Sequence, residues 1–248
     1  MKSFFTILLS VVASLTLCAV PASAQRLFHA DVQTKSVKDG KMKVSDREIY
    51  YTKGGNLNVR WNAGLNTYYF LSSPFGFTDV YYPASNESMT LEPSIFKAQD
   101  ELLWVFAEGG AEDLGLGREG FVLTSSKKDG PHTVRTYVPC QKGGMCIRVE
   151  LVLDERHLPV YCAYYDKKGK VITKTYLSNY RTEKGFAFPM RVTEISYFME
   201  KSDSTVKLDL YRDLEIDVPN EMYGFHVPSD AKIVDMKEGL KAMKKSAK

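Results

Sequence analysis

The sequence predicts a mainly β protein of the α+β class, built on a curled antiparallel sheet with one amphipathic helix. The first observation is an alternation of apolar and polar residues from position 146 onward, which is the period of a half-buried strand. Its apolar positions are Ile147, Val149, Leu151 and Leu153. The second is that turn-rich breaks at 154–156, 166–170 and 182–185 separate further runs of this kind. Such links are too short for parallel crossovers, which need about a dozen residues, so we expect an antiparallel meander.

The amino terminus has the plan of a secretory signal peptide. Lys2 precedes an apolar run over residues 4–20, and the small-residue site Ala22-Ser23-Ala24 follows it. We expect residues 1–24 to be removed on export. Two alternatives stay open: an uncleaved membrane anchor, for which the apolar run is short, and acylation at Cys18, where the preceding residues match a lipobox only in part.

The rest of the chain is predicted to be one domain, residues 25–235, followed by a basic tail, residues 236–248. The tail holds five lysines and one glutamate, whereas the domain holds 27 basic and 29 acidic residues. A nucleic-acid surface needs basic residues concentrated on the fold itself, so no nucleic acid is expected as a partner. We expect the tail to be a solvated, fraying end, with attraction to a membrane surface as the alternative.

Three cysteines remain after the predicted signal peptide. Cys140 and Cys146 flank the turn Gly143-Gly144 and could close a hairpin in an oxidising compartment, whereas Cys162 has no partner near it in sequence. We predict a bridge between Cys140 and Cys146. A zinc site is the alternative, but there is no CxxC pair and the four histidines are scattered, so no metal is expected.

No motif indicates an enzyme or a cofactor. Residues 115–120 match the pattern GxGxxG, but an acidic stretch precedes them and a predicted strand at 121–124 follows, where a dinucleotide site needs a strand and then a helix. We interpret the segment as a loop. Neither GxSxG nor HExxH occurs, and no histidine has a motif-linked acid or nucleophile. We therefore expect no catalytic residues and no cofactor.

One segment departs from the strand pattern. Between Pro93 and Gly110, apolar residues recur at helical spacing, and Ser94 is a suitable N-cap. These residues are Ile95, Leu102, Leu103 and Phe106. The stripe must be buried, and the apolar face of the curled sheet is the available place.

Short motifs along the chain resemble the LolA family of periplasmic lipoprotein carriers and its relatives, LolB and the RseB sensor domain. They are FHA at 28–30, DG at 39–40, EIYYTK at 48–53, NL at 56–57, Trp61, GFVLT at 120–124 and FHVP at 225–228. They follow the family order over nearly the whole chain after the signal peptide. The resemblance implies a half-open β barrel with a helical lid over an apolar cavity.

The same resemblance implies a periplasmic carrier that binds the acyl chains of lipoproteins or related lipids. It would receive them from an inner-membrane donor complex and deliver them to an outer-membrane acceptor, and we expect it to be a monomer. The alternative is an RseB-like module that senses a lipid or binds a protein partner without carrier activity. Strand parity and the helical stripe predict the residues that line the cavity. They are Leu57, Val59 and Trp61 in one wall, Tyr69 and Leu71 in another, and Leu102, Leu103 and Phe106 in the lid.

Two departures from the family pattern concern the lid. The family has a helix before the first strand, and cleavage after Ala24 leaves no room for it. The family's lid-locking arginine corresponds here to Gly54, although Arg60 lies close by. We therefore expect half of the usual lid.

Overall fold

The computed structural model describes residues 25–63, 66–141, 143–197 and 204–246. The predicted signal peptide, and Cys18 within it, lie outside these ranges. None of the helices in the described ranges has the length and apolarity needed to cross a bilayer.

Within the described ranges, fourteen strands form one curled sheet, so the predicted mainly β class is confirmed. In chain order the strands are β1 (Leu27–Lys38), β2 (Lys41–Thr52), β3 (Leu57–Ala63), β4 (Asn66–Ser72), β5 (Thr78–Tyr82), β6 (Glu87–Leu91), β7 (Phe121–Asp129), β8 (His132–Pro139), β9 (Cys146–Leu153), β10 (Pro159–Asp166), β11 (Val171–Glu183), β12 (Phe186–Tyr197), β13 (Ser204–Ile216) and β14 (Lys232–Ile233). Across the sheet their order is β14-β6-β5-β4-β3-β2-β1-β13-β12-β11-β10-β9-β8-β7. The pairing of β1 with β13 joins two meanders at the middle of a sheet whose outermost strands are β14 and β7.

Most of the sheet follows the meander that the sequence predicts. Strands β9 to β13 pair in succession and antiparallel. The β1–β2 link is the two-residue turn Asp39-Gly40, in which both residues have positive φ, 51° and 70°. That geometry is typical of a type I′ turn, whose twist matches that of the two strands and which glycine adopts without strain.

The concave face of the sheet carries the main core. Its largest fully buried side chains at one end include Phe28, Tyr51, Leu57 and Phe188. Phe188 packs edge to face on Tyr211 with centroids 4.7 Å apart, and Phe28 packs tilted on Phe186 with centroids 4.9 Å apart. We call this the closed end of the barrel, because aromatic side chains fill it.

The helix over the concave face is shorter than predicted. Helix α1 spans Leu102–Ala107, and a separate 3₁₀ turn, Ala98–Asp100, precedes it. The Asp100 carboxylate accepts a hydrogen bond from the backbone N–H of Lys97 at 3.0 Å, and Glu101 between the two elements is extended. Ser94 is therefore not the N-cap, and Ile95 lies before the helix and is exposed.

A second helix, α2 (Met236–Ser246), lies at the β6 edge. Val234, Met236 and Leu240 pack against the main core, so the predicted solvated, fraying tail is wrong for this part of the segment. The approach is close at Gly239, where an added Cβ would lie 2.3 Å from the Met89 sulfur. Because Met89 belongs to the concave core, α2 covers part of the face that the expected half-lid would leave open.

The outer face of β2 to β5 is also covered. The segment around a 3₁₀ turn, Glu221–Gly224, crosses it, and the Asn58 amide donates to the Met222 carbonyl at 2.7 Å. Rings from both sides meet there, with Tyr50 and Tyr223 at 5.5 Å and Tyr69 and Phe225 at 4.5 Å between centroids. This part of the sheet is therefore apolar on both faces.

Candidate functional site

A cavity of about 590 Å³ lies between the concave face and the segment that leads into α1. Side chains from β3, β4, β11 and β12 form its apolar walls, and α1 forms its cover. These residues include Val59, Trp61, Phe70, Leu102, Val105, Leu177 and Val192. Its size is in the range of small-molecule sites, which are mostly apolar with a few polar groups.

Six of the eight predicted cavity residues lie on the concave side. Val59, Trp61 and Leu102 line the cavity. Leu57, Leu103 and Phe106 are buried in the packed core beside it, with exposures of 0%, 0% and 4%. Phe106 packs edge to face on Phe188 at 5.2 Å, so it fills the closed end of the barrel.

The prediction that Tyr69 and Leu71 face the cavity is wrong. In the β3–β4 pair, Tyr69 lies opposite Arg60 and Leu71 lies opposite Asn58, which places both on the outer face. The inward positions of β4 are Tyr68, Phe70 and Ser72, all of which are buried. Alternation could not distinguish the two sets, because the segment 221–226 covers the outer face and both faces carry apolar side chains.

A buried ionic network connects the cover of the cavity to the sheet. Arg47 on β2 donates to Glu101, just before α1, and to Asp209 on β13, with N–O distances of 3.4 Å in each case. The three side chains are 12%, 10% and 9% exposed. Thr34 also bonds both Arg47 and Asp209. We call Arg47, Glu101 and Asp209 the latch.

The charges of the latch stabilise one another. Burial alone would lower the pKa of Arg47, but Glu101 and then Tyr211 and Asp209 more than offset it, so that its pKa is raised. Burial alone would raise the pKa of Asp209, but Arg47 and Lys207 reverse this and hold the pKa below its usual value. The Lys207 ammonium lies 3.0 Å from the Asp209 carboxylate. Arg47 and Asp209 are therefore both charged at neutral pH.

Arg60, the arginine close to the expected lid-locking position, does not reach the lid. It pairs with Glu48 on the outer face at 3.3 Å, and its side chain is 41% exposed. Arg47 contacts the segment before α1 instead. Sequence reasoning missed Arg47 because its two acidic partners lie 54 and 162 positions away in the chain.

A second, more open groove of about 840 Å³ continues along the concave face towards β7 to β11. It shares Glu119, Tyr164, Thr175 and Glu194 with the cavity, so the two spaces adjoin. Its apolar lining includes Phe121, Pro139, Met145 and Ile172. Strands β7 to β11 thus extend the concave surface beyond the cavity.

The three described cysteines are all free, so the predicted bridge between Cys140 and Cys146 is not formed in this structure. Cys140 is exposed, whereas Cys146 packs beside Tyr164 and contacts the Arg148 carbonyl through its sulfur at 3.4 Å. Cys162 is buried in a core cluster separate from the main one, with Val149, Leu151 and Leu153 of β9. This burial raises the pKa of its thiol to about 12. Within the described ranges, no group of three or more His, Cys, Asp or Glu side chains could hold a metal ion.

No known family profile and no curated protein matches the sequence. Solved structures do match. A LolA superfamily protein from Nitrosomonas europaea is 13% identical with a TM-score of 0.53, over 80% of this chain and 90% of that one. A DUF1329 family protein from Desulfovibrio piger is 15% identical with a TM-score of 0.55, over 83% and 91%.

A third structure, an outer-membrane lipoprotein-sorting protein domain from Vibrio parahaemolyticus according to its description, is 13% identical with a TM-score of 0.50, over 80% of this chain and 89% of that one. At this level of identity the likeness concerns the fold alone. The half-open barrel that the motifs imply is thereby confirmed. The chain has a LolA-like fold, a curled and unclosed antiparallel sheet with a helical cover over its concave face.

Proposed function

We propose that this protein is a periplasmic carrier that holds the acyl chains of a lipoprotein or a related lipid for transfer towards the outer membrane. The observation that carries the proposal is the apolar cavity between the sheet and α1. Each acyl methylene that moves from water into such a space contributes about 0.8 kcal/mol, so a long chain binds without a charged anchor. The predicted signal peptide and the LolA-like fold support the same compartment and ligand class.

The latch gives this cavity a cover that can open. Glu101 links the segment before α1 to the sheet through Arg47, and the Phe96 carbonyl of the same segment accepts a hydrogen bond from the Thr78 hydroxyl at 3.3 Å. The apolar contacts of this segment are those of Phe96 and Ala98, so the segment can move while the closed end of the barrel stays packed. Hand-over would then involve an inner-membrane donor and an outer-membrane acceptor, each of which would have to open the same cover.

The test is binding of a fluorescent fatty-acyl probe to the purified protein, with fatty acids of increasing length as competitors. If the cavity takes an acyl chain, each added methylene should strengthen competition by about fourfold until the cavity is filled. Equal competition by short and long chains, or no probe binding, would contradict the carrier proposal. An RseB-like interaction module would then be the better account.

A matched pair of variants locates the probe. Trp61 lines the cavity and is 37% exposed, whereas Phe75 in the β4–β5 turn is 88% exposed and lies outside it. Trp61→Ala should weaken probe binding about tenfold, the equivalent of roughly 55 Å² of lost apolar contact. Phe75→Ala should leave probe affinity unchanged. Equal losses in both variants would place the probe elsewhere.

A further inference from the structure

The tip of the β1–β2 hairpin, residues 35–44, exposes apolar side chains that no described segment covers. Val37, Met42 and Val44 are 39%, 66% and 48% exposed. Val37 and Met42 are direct cross-strand partners, and Val44 lies opposite Lys35, so the three share the outer face. They form a small continuous patch, which marks an interaction site more often than scattered single residues do.

Lysines lie on both faces of the tip: Lys35 shares the outer face with the patch, and Lys38, Lys41 and Lys43 lie on the opposite face of the hairpin. Lys35, Lys38, Lys41 and Lys43 stand in the same ten residues with a single acid, Asp39. The structure gives Lys35, Lys41 and Lys43 no ion pair with another described residue. An apolar patch on a tip with three lysines that have no ion pair among the described residues matches an anionic lipid surface, where apolar side chains enter and lysines meet phosphates.

The tip has a regular, hydrogen-bonded structure. Its two strands pair without a break from Leu27 and Thr52 to Lys38 and Lys41, and the type I′ turn closes them. On one side β13 supports it, with Val206 opposite Val37. The apolar residues are therefore presented in a fixed geometry, and little conformational entropy is lost on docking.

The position of the tip relates it to the cavity. Thr34 and Ser45, which line the cavity, are the next cross-strand pair below Lys35 and Val44. Trp61 and Lys207 line the cavity from neighbouring strands at the same end of the sheet. The opposite end is the closed, aromatic one. A surface that meets the tip therefore also lies near the half of the cavity lined by Thr34, Ser45 and Trp61, which we call its open half.

We propose that the β1–β2 tip docks this protein on an anionic phospholipid surface, with Val37, Met42 and Val44 in the interface and Lys35, Lys41 and Lys43 against lipid phosphates. The proposal does not depend on the carrier function, since a tip of this composition would bind a membrane whatever the cavity holds. If both hold, docking brings the open half of the cavity to the membrane.

Vesicle co-sedimentation tests it with two lipid compositions, phosphatidylcholine alone and phosphatidylcholine mixed with phosphatidylglycerol. The protein should bind the anionic vesicles and leave the neutral ones. Each lysine near an anionic surface strengthens binding about fivefold, so Lys41→Glu with Lys43→Glu should weaken it at least 25-fold. Met42→Asp should weaken binding in the same direction. Raising the ionic strength from about 0.1 M to about 1 M should abolish it, because the Debye length falls from about 10 Å to about 3 Å.

The matched control is Lys127→Glu with Lys128→Glu, two adjacent exposed lysines on β7 near the β7–β8 turn. It makes the same change in net charge away from the tip and should bind like the unchanged protein. Equal loss in the control would mean attraction by overall charge and would overturn the proposal, as would no binding to anionic vesicles. Loss through Phe75→Ala in place of the tip variants would assign docking to the β4–β5 turn and would also overturn it.

Three further measurements keep the result specific. Thermal melts should show that the tip variants stay folded, since the changed side chains are exposed. Sedimentation velocity without lipid should give the same mass for the unchanged protein and Met42→Asp; a dimer lost on substitution would show that a second copy covers the patch and would overturn the proposal. Acyl-probe binding in solution should persist in the tip variants, which separates failure of docking from failure of the carrier proposal.

Discussion

Replacing Arg47 by methionine should destabilise the barrel strongly. Methionine keeps most of the side-chain volume but leaves the Glu101 and Asp209 carboxylates, 10% and 9% exposed, without their shared counter-charge. Removing one partner of a buried ion pair costs about 3–5 kcal/mol, because the other charge stays desolvated. Lys207 remains beside Asp209 at 3.0 Å, so we expect the lower end, about 3 kcal/mol, in urea unfolding at pH 7.

The control is Arg60→Met. This arginine pairs with Glu48 at a similar distance, 3.3 Å, but the two side chains are 41% and 26% exposed, and such pairs contribute about 0–1 kcal/mol. A double-mutant cycle of Arg47→Met and Glu101→Gln should give a coupling energy of about 1–3 kcal/mol between the sheet and the segment before α1. A coupling near zero, or equal losses from Arg47→Met and Arg60→Met, would refute the latch.

Acid should remove the advantage of the latch. The pKa of Asp209 is lowered by Arg47 below its usual value of 3.8, so its contribution to stability is fully present above about pH 4 and is lost as the pH falls through the folded-state pKa. The difference in unfolding free energy between the unchanged protein and Arg47→Met should therefore shrink below pH 4. A difference that stays constant from pH 7 to pH 3 would show that Asp209 is not held by Arg47.

Three further predictions concern other parts of the chain. Leu103→Asp should lower the unfolding free energy by several kcal/mol, because Leu103 is 0% exposed and a charge there has no partner. Leu102→Asp at the cavity should lose acyl-probe affinity with a smaller loss of stability. A larger loss of stability for Leu102→Asp than for Leu103→Asp in denaturant melts would contradict the placement of α1. Alkylation at pH 8 should modify Cys140 readily and Cys162 only after denaturation, since the pKa of Cys162 is raised to about 12 by burial; a single free thiol would instead mean that Cys140 and Cys146 are bridged. Gly239→Val should release α2 from β6, because an added Cβ would lie 2.3 Å from the Met89 sulfur; limited proteolysis should then cut within α2, and unchanged protection would show that Met89 simply moves aside.

The fold could be predicted from the sequence wherever one face of a strand is wet. Alternation places Ile147, Val149, Leu151 and Leu153 on one face of β9; the last three are fully buried, whereas Ile147 at the start of the strand is 41% exposed. Strand β4 has no such contrast: Tyr68 and Phe70 face inward while Tyr69 and Leu71 face the segment 221–226. The alternation of apolar and polar residues could not identify the inward face of β4, because the segment 221–226, which is distant in sequence, covers its outer face and makes that face apolar as well.

The sequence predicted part of the apolar walls of the cavity but not the charged residues of the latch. Val59, Trp61 and Leu102 follow from strand period and helical spacing. The latch depends on β13 lying beside β1, so Asp209 reaches Arg47 through a pairing between the two ends of the chain. No local sequence pattern indicates that β1 pairs with β13. An arginine in a polar run such as residues 43–48 is therefore interpreted as solvent-exposed.

The two sides of helix α1 determine how its cover can open. Leu103 and Phe106 point into the closed end and are 0% and 4% exposed, whereas Leu102 and Val105 line the cavity. Lifting the whole helix would expose both buried side chains, at a cost of about 3–6 kcal/mol. Moving only the segment 95–101 breaks the contact between Glu101 and Arg47 and leaves Asp209 and Lys207 to compensate the arginine. It also breaks the hydrogen bond from Thr78 to the Phe96 carbonyl and the packing of Phe96 on Phe70, and it exposes Ala98. Phe96 is only half-buried and Ala98 is small, so this movement exposes less apolar surface than lifting the whole helix. The cheaper opening is therefore a swing of this segment about an anchored α1, and it uncovers the cavity at the Phe96 and Leu102 side while the aromatic end stays closed.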